Sequence, residues 1–76
     1  MPNQVIASYR DTKRNERMEK IANEAMEQFD VGLAESRTNM KTMTRELIWQ
    51  VPSAKAEAAK AALEKLGFRA QIREQE

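Results

Sequence analysis

The sequence contains neither cysteine nor histidine. Without cysteine there is no disulfide framework, thiolate nucleophile or sulfur metal site, and nothing in the composition points to an oxidising compartment. Without histidine the commonest general base and the commonest nitrogen metal ligand are missing too. Gly32 and Gly67 are the only glycines. Two isolated glycines form no glycine-rich phosphate loop, which argues against nucleotide hydrolysis. The carboxylates show no calcium-loop spacing. The expectation is a non-enzyme that uses no cofactor and no metal.

Long apolar runs are lacking as well. No window approaches the 18 or more apolar residues of a membrane span, and the opening "MPNQVIASYRD" has no apolar core of the kind a signal peptide needs. The expected setting is cytoplasmic, without a membrane partner. Charge of one sign is not in excess: 13 Lys and Arg face 12 Asp and Glu, a net charge of +1. Global electrostatics therefore do not call for nucleic acid, and any such argument has to be local.

What is present fits one small domain over residues 1–76. The 76 residues are 41% hydrophobic and 33% charged, too apolar for a disordered chain. A chain this short buries only about 60% of its unfolded surface, so its stability is marginal.

Met18, Ile21, Ala22, Ala25, Met26 and Phe29 recur at helical spacing and predict a first helix over about residues 12–30. Asp11 or Thr12 is the expected cap, and Gly32 the expected left-handed terminator. Glu16, Glu19, Glu24, Glu27 and Asp30 fall on its polar side, solvated. A second helix follows Pro52, with Ser53 as cap, the helix-forming run "AKAEAAKAALEKL", and Gly67 as terminator. Its apolar face is Ala59, Ala62, Leu63 and Leu66, small enough to lie flat on a sheet.

Two strands flank the second helix. In "TMTRELIWQV" the residues Met43, Leu47, Trp49 and Val51 share one face, interrupted by Arg45, and in "FRAQIR" Phe68, Ala70 and Ile72 oppose Arg69, Gln71 and Arg73. Weaker strand signals lie in "QVIASY" and "VGLAESR", the latter followed by the polar tip "TNM". The order β-α-β-β-α-β suggests an α+β two-layer sandwich of ferredoxin-like, split β-α-β type, with two helices on one face of an antiparallel sheet. If "VGLAESR" is instead helix tail or loop, the sheet has three strands.

Trp49 alternates with Leu47 and Val51, which places it in the core; Tyr9 and Phe68 lack the paired spacing of a base-stacking platform. Met18, Met26 and Met43 are read as core, and Met40 as an exposed turn residue. Ile48 faces the other way, alone on an open sheet face, a reason to consider self-association or a covered sheet face.

The functional signal is charge placement. Arg10, Lys13, Arg14 and Arg17 gather where the first helix is predicted to begin, the positive end of its dipole, while Glu24, Glu27 and Asp30 approach the negative end. Cations kept against the dipole are expected to meet an anion. The leading expectation is a regulatory or adaptor module that binds another protein with an acidic patch, or a second copy of itself, through Arg10, Lys13, Arg14 and Arg17. The alternative is nucleic-acid binding, with those cations and Arg37, Lys41 and Arg45 neutralising phosphates.

Overall fold

The computed structural model describes residues 2–10 and 15–74. Its elements run β1 (Pro2–Tyr9), α1 (Glu16–Glu27), β2 (Leu33–Asn39), β3 (Thr44–Pro52), α2 (Ser53–Lys65) and β4 (Arg69–Glu74). The four strands form one antiparallel sheet in the order β2-β3-β1-β4. The "VGLAESR" region does contribute a strand, two residues later than expected.

Alternation assigns each sheet face. Val5 pairs with Trp49 and Ile72, and Ala7 with Leu47 and Ala70, so these side chains share one face. They form a single cluster with Ala22 and Met26 of α1, Ala56, Ala59 and Leu63 of α2, and Phe68. Both helices therefore cover this face, and Trp49 is wholly buried beneath them.

The opposite face carries no helix. Ile48 is not alone there: it pairs with Ile6, and the two are only 3% and 2% exposed. Their register neighbours on this face are Gln4, Ser8, Glu46, Gln50 and Gln71, all polar side chains. Ile48 is thus no exposed apolar patch, and it supplies no argument for self-association.

Local chemistry explains where the elements stop. α1 starts at Glu16 rather than near residue 12, because Asn15 caps it and its Oδ1 accepts from the Met18 N–H at 3.1 Å. The expected caps Asp11 and Thr12 lie outside the described residues. At the other end Asp30, not Gly32, takes the left-handed conformation, with φ 57°. α2 begins after Pro52, which occupies the cap position without a side-chain bond, and Ser53 is its first residue. It ends as expected at Gly67, φ 96°. There the N–H groups of Gly67 and Phe68 donate to the carbonyls of Glu64 and Leu63, and Phe68 and Leu63 meet in the core.

Four positions depart from the expected pattern of burial. Ile21, expected on the apolar face of α1, is 38% exposed. Met43 is half-exposed in the β2–β3 turn with φ 57°, because Asn39 Oδ1 accepts from the Lys41 and Thr42 N–H groups and delays β3 until Thr44. Leu66, at the end of α2, is exposed. Glu19, expected on the solvated side, is 3% exposed. It shares the buried face of α1 with Ala22 and Met26, at spacings of three and seven.

Candidate functional site: an arginine- and hydroxyl-lined cleft

β1, β3 and β4 bring their ends to one side of the sheet, since Ser8 pairs with both Glu46 and Arg69, and Tyr9 with Arg45. A polar cluster anchors α1 at that side. The Tyr9 hydroxyl donates to Glu19 Oε2 at 2.6 Å and accepts from the backbone N–H of Asn15 at 2.9 Å. Arg45 Nη2 donates to Glu19 Oε1 at 3.3 Å, and Nη1 to Thr38 Oγ1 at 2.9 Å. The ion pair is enclosed, with side-chain exposures of 11% for Arg45 and 4% for Glu19. Burial works against the Arg45 charge, but hydrogen bonds to Glu19 and Tyr9 outweigh it and raise the guanidinium's hold on its proton.

Tyr9 is displaced in the same sense. Burial, followed by its bond to the Glu19 carboxylate, raises the phenol above its ordinary value of 10.0, and the Asn15 N–H offsets this in part. The folded state therefore holds this proton more tightly than the unfolded chain does. The associated stabilisation is complete below the unfolded value and is lost as pH rises through the higher folded value. Denaturant titrations at pH 8 to 11.5 should show wild-type stability falling beyond pH 10 more steeply than that of Tyr9→Phe. Parallel losses would show that the phenol is not the linked group.

Beside this cluster lies a cleft of about 400 Å3 lined by Ser8, Tyr9, Arg10, Thr42, Thr44, Gly67 and Arg69. A second depression of about 280 Å3 shares Ser8, Thr42, Thr44 and Arg69 and continues past Asn39, Glu46 and Gln71. Together they make a continuous groove from the strand ends onto the uncovered sheet face. Among the described residues its first part is lined by two arginines and by no carboxylate, a composition that favours negative charge.

The sequence-predicted cations are distributed unevenly about this cleft. Arg10 is exposed at the end of β1 and lines it. Arg17 is exposed in the first turn of α1, two residues past the Asn15 cap that Tyr9 holds. Lys13 and Arg14 lie outside the described residues. The conflict with the helix dipole is smaller than expected: α1 starts later, Arg10 precedes it, and Glu16 and Glu19 occupy the first turn with Arg17. The last turn does lack a basic residue, leaving Glu24 and Glu27 near the negative end.

The secondary candidates do not form one surface. Arg37 Nε meets Glu46 Oε1 at 2.7 Å across the uncovered face, Lys41 is exposed in the turn, and Arg45 is held beneath the helices by Glu19. Arg69 was missed as a site residue, because only the β1–β4 register brings it beside Ser8.

Among the described residues, no group of three or more acidic side chains is placed to hold a metal ion, and no helix is long and apolar enough to cross a membrane. The chain matches no protein-family model, no curated protein and no solved structure.

Proposed function

We propose that this chain is a small non-enzymatic binding module of the cytoplasm that captures an acidic segment of another protein at the strand-end cleft and the neighbouring start of α1. One observation carries the reading: Arg10 and Arg69 line a single cleft with hydroxyl-bearing side chains, and neither arginine takes part in an ion pair among the described residues. Unpaired guanidinium groups in a concave site gain more from an incoming carboxylate than cations already neutralised on a flat surface. The strand order, read from one edge as β4-β1-β3-β2, supports placing the module among ferredoxin-like, split β-α-β sandwiches.

Nucleic acid is the competing partner. Glu24, Glu27 and Asp30 disfavour a long polyanion along α1, and the uncovered face offers no aromatic ring for a base to stack on. The double variant Arg10→Gln/Arg17→Gln separates the two. Both residues are exposed, so its stability should stay within about 0.5 kcal/mol of wild type. Titrated with a glutamate-rich peptide and, separately, with single-stranded and duplex oligonucleotides, wild type should prefer the peptide and the variant should lose that preference. Tighter oligonucleotide binding, with a salt slope that shrinks by about one for each phosphate contact removed, would replace this reading with the nucleic-acid one.

A further inference from the structure

Hydrogen-bond accounting in the cleft narrows the kind of acid it suits. The Tyr9 hydroxyl has given its proton to Glu19 and accepted one from Asn15, so Tyr9 offers the cleft a wall rather than a donor. Thr42 and Thr44 join their hydroxyl oxygens at 2.7 Å, which uses one of their two protons and leaves the other. The Ser8 hydroxyl and the guanidinium groups of Arg10 and Arg69 also line the cleft, and no side-chain partner engages them among the described residues. Gly67 adds backbone without a side chain.

A carboxylate has one negative charge and two oxygens, too few for two planar guanidinium forks and two hydroxyl protons. A phosphomonoester brings a charge of roughly −1.5 to −2 and three terminal oxygens, each able to accept more than one bond. The adjoining depression does not repel it strongly, because Glu46, its one carboxylate among the described residues, is paired with Arg37 at 2.7 Å.

We propose that the cleft is a phosphomonoester pocket that receives a phosphorylated serine or threonine side chain of the partner protein. The proposal rests on the reading that the partner is an acidic protein, and it specifies the group by which that protein is held. Arg69 and Arg10 grip the phosphoryl oxygens, while Ser8 and the Thr42–Thr44 pair donate to those left over. A phosphodiester backbone fits less well, because each phosphate carries one charge and two terminal oxygens rather than three.

The test uses three peptide pools with random flanks around a fixed phosphoserine, glutamate or serine, together with inorganic phosphate and an oligothymidylate. Backbone amide shifts and calorimetry are read on wild type and on Arg69→Gln. The phosphoserine pool should bind about tenfold or more tightly than the glutamate pool, given its extra charge and acceptor. The shifts should centre on Ser8, Tyr9, Thr44 and Arg69, inorganic phosphate should move the same amides, and Arg69→Gln should reduce the phosphoserine pool to the glutamate level at unchanged melting temperature. Equal binding of the phosphoserine and glutamate pools at the cleft would overturn the phosphate assignment and leave the acidic-partner reading standing. Tighter binding of oligothymidylate, or no shift at the cleft with any pool, would overturn both.

Discussion

Trp49→Ala is expected to destabilise the protein by about 3 to 5 kcal/mol, the usual range for removing a large, fully enclosed aromatic side chain. The indole is wholly buried on the helix-covered face, where Val5 and Leu33 are its cross-strand partners. A domain of this length has about 4 to 11 kcal/mol in total at 0.05 to 0.15 kcal/mol per residue, so the variant should be largely unfolded near body temperature. Trp49→Phe should behave differently. Among the described residues the indole Nε1 has no acceptor, and a buried donor left unpaired costs about 1 to 3 kcal/mol. Phenylalanine removes that donor along with part of the ring volume. The two effects oppose each other, and the net change should stay within about 1.5 kcal/mol. Denaturant melts of both variants check this. A Phe variant as damaged as the Ala variant would mean that indole volume, rather than the unpaired N–H, governs the site.

The parts of this fold that were legible in the sequence are those written in short-range periodicity. Ala22 with Met26, Leu47 with Trp49 and Val51, and Ala59 with Leu63 announce buried faces by spacing alone, and all of them are buried. The turn at Gly67 was equally plain, since its left-handed backbone favours glycine. What escaped depends on contacts between distant segments. The cap of α1 is Asn15, whose backbone N–H donates to the hydroxyl of Tyr9 in β1. Nothing local announces that pairing. Met43 alternates correctly with Leu47 yet falls in a turn that the Asn39 side chain organises. The cleft combines residues of β1, β3 and β4 with the β2–β3 turn, so only the strand register could assemble it. One signal was available and unused: Glu19 lies on the apolar stripe of its helix and Arg45 on the apolar face of its strand. Two opposite charges set into core-facing positions implied that they pair with each other.

That pair sets the other large expected effect. Glu19→Ala should cost about 3 to 5 kcal/mol, because it leaves the Arg45 guanidinium enclosed without its carboxylate and strips the Tyr9 hydroxyl of its acceptor. Arg45 Nε already lacks a partner among the described residues, so the cluster has little spare bonding to absorb the loss. Replacing both charges by apolar groups of similar volume, Glu19→Leu with Arg45→Met, should recover most of that stability, since the desolvation of two ions disappears with their attraction. The comparison separates two roles. If the double variant is stable and still binds as wild type does, the ion pair serves only to seal the core. The geometry leads to a different expectation. Tyr9 both lines the cleft and bonds Glu19 and the Asn15 backbone, so Glu19 fixes the tyrosine, the start of α1 and one wall of the cleft together. The apolar double variant should therefore regain its melting temperature while losing anion affinity, because Tyr9 is then free to leave its place as a wall of the cleft and to release the first turn of α1. Recovery of stability and affinity together would show that the cleft is shaped by the strands alone.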